Sequence, residues 1–125
     1  MKSDIAQKWV DALRGNRYRQ GRNALKQQKN GEIKHCCLGV LCELYQLEAS
    51  SPLDERELGP CGFTFMDGSS DFLPRPVMHW AGMGSNNGDF HDPVSDRGTN
   101  LVDLNDKGMD FSKLADIIEI HKEEL

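Results

Sequence analysis

Between Cys36 and Leu47 the chain reads Cys-Cys-Leu-Gly-Val-Leu-Cys-Glu-Leu-Tyr-Gln-Leu, and no other stretch limits the fold as much. Wound as a helix, Cys37, Leu38, Val40, Leu41, Leu44, Tyr45 and Leu47 cover most of the circumference, so the segment must be packed on several sides. Such a helix belongs at the centre of a core. Gly39 in its interior costs roughly 1 kcal/mol relative to alanine and marks a place where a neighbouring segment comes close. The rest of the chain has to supply the elements that surround it.

Those elements are readable in order. Ser3 is placed to cap a first helix with Ile5, Trp9, Val10 and Leu13 on one face, and Gly15-Asn16 is suited to end it in left-handed backbone. Residues 24–29 and 32–36 flank Asn30-Gly31, a pair that tolerates the positive φ angles of a tight hairpin turn. Residues 48–60 read as a loop, Phe63-Thr64-Phe65 as a half-buried strand, and Asp67-Gly68 as a turn back to Phe72. Pro74 and Pro76 open a short helix through Trp80, with Gly82 beyond its end. Residues 83–100, rich in Gly, Asn, Asp and Ser, predict a long irregular segment, and Leu101, Val102 and Leu104 a short strand. Asp110 caps a last helix with Phe111, Leu114, Ala115, Ile117 and Ile118 facing inward. About four helices around a buried central one, with short antiparallel hairpins, make an α+β fold. No repeat or linker divides residues 1–125, so one domain is expected.

The 125 residues are 38% hydrophobic and 28% charged, which argues against disorder and against a fibre. Apolar runs are only a few residues long, far short of a membrane span. Met1-Lys2-Ser3-Asp4 leads into an amphipathic pattern broken by Lys8 and Asp11, unlike a signal peptide, and a cytoplasmic protein is expected. Cys36, Cys37, Cys42 and Cys61 are therefore expected as thiols, at least three of them buried. Charge is divided unevenly. Residues 1–34 carry nine Lys/Arg against three Asp/Glu, whereas residues 35–125 carry six against seventeen. A basic end on an acidic body points to an anionic ligand or acidic partner near the N-terminal third.

Three constellations could carry chemistry. Arg17, Tyr18, Arg19, Arg22 and Lys26 surround the Gly21 turn, where guanidinium forks, a stacking ring and backbone amides could gather around phosphate. The plainer reading is a solvated hairpin edge and helix end. Second, Cys36 or Cys37 at a helix N-terminus could act as a nucleophile, with His79 or His91 as base and Asn105 or Asp106 as orienter. Small buried thiols at the start of a core helix are the plainer alternative. Third, His35, Cys36, Cys37, Cys42, Cys61 and His79 are soft ligands, but no Cys-x-x-Cys knuckle occurs, and no metal is expected. The stretch from Ser85 to Asp96 fails as a calcium loop, since Gly88 at position six puts Val94 where an acid is required. No cofactor fingerprint is present.

Trp9 with Ala12-Leu13-Arg14, Tyr18 with Gln20-Gly21, and Cys36-Cys37-Leu38-Gly39-Val40-Leu41-Cys42 form one half of a further pattern. Leu73-Pro74 with Val77, Trp80-Ala81-Gly82, Leu104-Asn105-Asp106, and Phe111 with Ala115-Asp116-Ile117-Ile118-Glu119 complete it. In these blocks the chain resembles a family of small uncharacterised proteins encoded by bacteriophages and prophages. The resemblance implies action in an infected bacterial cytoplasm. An accessory protein that binds a host or anti-phage defence protein, without catalysis, is then the leading expectation. A binder of a phosphate-bearing small molecule or nucleic-acid backbone is the first alternative, and a papain-like cysteine hydrolase the second.

Overall fold

A computed structural model describes residues 1–49 and 51–125, except for the side chains of Leu58 and Cys61. The central helix α2 (Cys37–Glu48) packs chiefly on α1 (Ser3–Arg14), α3 (Arg75–Ala81), α4 (Leu101–Asp106) and strand β2 (Glu32–His35). Cys37, Leu38, Val40, Leu41 and Cys42 are all fully enclosed. Gly39 explains how the neighbours get so close. A Cβ there would stand 1.7 Å from the carbonyl oxygen of Leu25, so the backbone before the first hairpin lies directly on the helix. Leu47 departs from expectation and is 60% exposed, because the outer side of the last turn has no element over it.

Helix α1 buries Ile5, Ala6, Trp9, Val10 and Leu13 and lies along α5 (Phe111–His121). Trp9 Nε1 donates to the Cys37 carbonyl at 2.9 Å, which satisfies the indole inside the core. Two local expectations for α1 are corrected. Ser3 is the first helical residue, with Lys2 at the cap position and no side-chain cap bond, and Gly15 ends the helix with φ of −79°, outside left-handed space. Asp110 caps α5 as expected, accepting from the Lys113 amide at 2.9 Å, and Gly82 closes α3 with φ of 69°.

Strands β1 (Lys26–Lys29) and β2 form the expected hairpin, with Asn30 and Gly31 at φ of 54° and 76°. Their sheet is wider than the sequence suggested. β3 (Glu55–Leu58) lies within the expected 48–60 loop and pairs with β4 (Phe63–Met66), giving the antiparallel order β2-β1-β4-β3. Glu-Arg-Glu-Leu has no apolar alternation to announce a strand; its exposed charges suit an edge. Asp67-Gly68 does turn, but only to a bridge between Met66 and Ser69, and Phe72 is left largely exposed.

Residues 83–100 are likewise not one irregular segment. β5 (Asp89–Asp92) and β6 (Arg97–Asn100) make a second antiparallel pair. Leu101, Val102 and Leu104 lie on α4, not on a strand, because the Asn100 side chain caps a helix there by accepting from the Asp103 amide at 2.8 Å. The result is one α+β domain, with five α-helices and two antiparallel sheets among the described residues. Among the described residues no helix is long and apolar enough to cross a membrane.

Candidate functional site

The chain between α1 and β1 carries Arg17, Arg19 and Arg22, and the fold divides them. Residues 19–21 run beside β2 as a short parallel ladder: the His35 amide donates to the Arg19 carbonyl at 2.8 Å and the Gly21 amide to the His35 carbonyl at 2.7 Å. That ladder holds Arg17, Tyr18 and Arg19 over the end of the hairpin. It also consumes the Gly21 amide, so the turn cannot offer it to an anion as the sequence suggested.

Arg17, Tyr18 and Arg19 border an open cleft of about 500 Å³, whose other walls include Glu32 and Ile33 from β2 and Glu43 and Leu47 from α2. Glu43 and Leu47, four residues apart, share one stripe of the helix. Arg17 Cζ sits 5.7 Å from the centre of the Tyr18 ring and makes no ion pair among the described residues. Arg19 is tied to Glu32 across the exposed rim.

His35 forms the floor. It is 5% exposed, and neither ring nitrogen has a hydrogen-bond partner among the described residues. Its Nε2 is 3.6 Å from Glu43 Oε1, too long for a hydrogen bond but close enough for electrostatic coupling. The Tyr18 ring stands edge-on to the imidazole, centroids 5.3 Å apart and planes 85° apart. A buried imidazole with unmet hydrogen bonds costs about 1–3 kcal/mol, so its retention calls for an explanation beyond packing. Burial pushes the Glu43 carboxyl up, yet His35, Lys26 and Arg17 together outweigh that and hold it below the ordinary carboxylate range. Burial also pushes the Tyr18 hydroxyl up, with Arg17 opposing.

Arg22 and Lys26 do not join this cleft. Arg22 lies over the turn after α4, its guanidinium close to Gly108, beside a separate depression with Gln20, Asn23 and Lys34. Lys26 is pinned to Glu55 at 3.0 Å, with Glu43 at 3.9 Å. Of the five basic-segment residues singled out from sequence, three converge and two are dispersed.

The cysteines and Asn105 are bound into the scaffold. Cys36 caps α2, its Sγ accepting from the Gly39 amide at 3.4 Å. Burial pushes its thiol from 9.0 up to about 12, outweighing the backbone amides that favour the thiolate. Cys37 and Cys42 are pushed well above the ordinary thiol value for the same reason. Asn105 is fully buried. Its Oδ1 accepts from the Cys37 amide at 3.2 Å and from Gln20 Nε2 at 2.9 Å, and its Nδ2 donates to the Gly21 carbonyl at 2.9 Å. Asp106 adds a bond from the Asn23 amide at 2.9 Å. Leu-Asn-Asp thus forms a polar clasp joining α4, the start of α2 and residues 20–23. His79 is exposed on α3, and His91 sits exposed on β5 beside Asp96. Among the described residues no group of three or more His, Cys, Asp or Glu is arranged to hold a metal.

Residues 1–122 match a family described as a domain of unknown function, DUF8296. The chain belongs to that family. The match takes in every element from α1 to α5, and hence both the His35 cleft and the Asn105 clasp of this DUF8296 member. No curated protein and no solved structure matches the chain.

His35 is the residue that sequence reasoning missed as a cleft-floor group, having weighed it only as a soft metal ligand. The alternation of β2 offered a weak signal, since His35 falls two residues from Ile33. Nothing local could have told that its ring would lie beneath Tyr18 and beside Glu43.

Proposed function

We propose that the protein acts by binding and that the Arg17–Tyr18–Arg19 cleft is the surface that takes a negatively charged group from its partner. The setting is the one the motif resemblance implies: a phage- or prophage-encoded accessory protein, working in the cytoplasm of an infected bacterium on a host or defence component. The observation that carries the reading is Arg17, a guanidinium without an ion pair among the described residues, standing beside Tyr18 at the mouth of a cleft floored by a buried histidine whose ring nitrogens have no hydrogen bond there. A cysteine-hydrolase reading has less support, because burial keeps Cys36 and Cys37 protonated.

The test is differential capture from lysate of infected bacteria by the full chain and by its Arg17→Ala/Arg19→Ala variant. Components retained by the wild type should be lost by the variant and released as salt rises, because the attraction is between exposed charges. Equal capture by both chains across a salt titration would remove the cleft as the binding surface.

A further inference from the structure

The charges of the cleft are not those of a simple anion site. Arg17 and Arg19 make the mouth positive, but Glu32 stands on the rim and Glu43 on the inner wall. A small anion drawn in by Arg17 would meet Glu43 carboxylate repulsion as it approached His35. The inner end asks for the opposite: Glu43 accepts hydrogen bonds, and a neutral His35 ring offers one donor and one acceptor, both unused. A ligand that satisfies both ends has its anion outside and a row of donors and acceptors inside. Between the two lie Tyr18, with the Arg17 guanidinium beside it, and the apolar rim of Ile33 and Leu47, 44% and 60% exposed. Those walls favour a flat ring. The space, about 500 Å³, is in the range of small-molecule sites.

The geometry points to a nucleotide site, in which phosphate is held at the mouth by Arg17 and Arg19 while the amino-bearing edge of a base reaches Glu43 and His35. Carboxylates accept from exocyclic amino groups of bases, and a ring nitrogen beside that amino group matches the imidazole. Entry requires the Tyr18 ring to swing from its edge-on position over His35 to lie against the base. This inference rests on the cleft being the binding surface, and narrows what enters it.

Titration calorimetry of the full chain with inorganic phosphate, ribose 5-phosphate, AMP and GMP separates the phosphate from the base. AMP or GMP should bind at least about tenfold more tightly than ribose 5-phosphate. His35→Phe and Glu43→Gln should erase that excess, and Arg17→Ala, on the exposed mouth, should weaken all the phosphates. Near-UV circular dichroism reports whether each variant is folded. If ribose 5-phosphate or inorganic phosphate binds as tightly as the nucleotides, or if both floor variants keep the excess, the base subsite is overturned and a plain anion cleft remains. Failure of all four ligands also overturns the nucleotide inference. The binding-surface reading falls separately, only if the arginine double variant retains the component captured from lysate.

Discussion

Residues 17–19 and residues 20–23 adjoin in sequence, yet the fold treats them in opposite ways. On the clasp side, Gln20 donates to Asn105 and to the Met109 carbonyl and accepts from the Phe111 amide at 3.0 Å, and Asn23 is bound by Asp106. The Gln20 side chain is answered entirely from within the chain. On the cleft side, among the described residues, Arg17 has no carboxylate partner and the His35 ring nitrogens have no hydrogen bond, and an open space of about 500 Å³ lies before them. Buried polar groups that are fully satisfied specify a structure, whereas buried polar groups left open are costly unless something else meets them. The comparison separates scaffold from site more clearly than residue type does, since asparagine, glutamine and histidine could each have been catalytic.

That contrast can be broken by substitutions on its two sides. The largest effect belongs where the clasp's support meets the core: Gly39→Ala puts a Cβ on the Leu25 carbonyl and should destabilise by 3 kcal/mol or more, roughly the upper range for overpacking. Urea unfolding measures it, and a midpoint like that of the wild type would mean that residues 24–26 do not rest on α2. Next comes Asn105→Ala, which strands the Cys37 amide and the Gly21 carbonyl in the interior. A loss of about 2–4 kcal/mol is expected, by the same measurement. A cost under about 0.5 kcal/mol would show that the clasp is no scaffold.

The cleft side should respond far less. Glu43 is held below its ordinary range, so it contributes stability above pH 4.5 that is lost as pH falls through its lowered folded value. Glu43→Gln should therefore flatten the acid limb of a plot of unfolding free energy against pH, without moving stability near neutrality by more than a few tenths of a kcal/mol. An acid limb identical to that of the wild type would show that the carboxylate is not coupled to His35 and Lys26. Smallest of all is His35→Phe. Replacing an unsatisfied imidazole by an apolar ring of similar shape should leave stability within about 0.5 kcal/mol, or raise it. A cost as large as that of Asn105→Ala would make His35 part of the scaffold and erase the distinction.

Much of this architecture is written locally. The all-round apolar pattern after Cys36 placed α2 in the core, Asn30-Gly31 made the first hairpin, Asp110 capped α5, and Gly82 ended α3. Each rests on a spacing or on a turn conformation that neighbouring residues dictate by themselves. The errors have a common cause as well. β3 with its Glu-Arg-Glu-Leu, and the hairpin of β5 and β6, contain little apolar alternation. They are strands because a partner supplies the hydrogen bonds, and a partner is a tertiary fact. Leu101–Asp106 became helical because Asn100 happened to cap it, outweighing the β-branched residue at Val102.

For the site, the sequence determined that positive charge would gather around residues 14–34 and that the thiols would start a core helix. It could not determine which cations would be spent. Arg14 is taken by Asp116 and Glu119, Arg19 by Glu32 and Lys26 by Glu55, and the first and last of these pairings join residues far apart in the chain. Only the folded chain leaves Arg17 without a carboxylate partner among the described residues and sets His35 between Tyr18 and Glu43. The physical reason is range: capping and periodicity act over a few residues, but whether a polar atom is satisfied depends on every segment that packs against it.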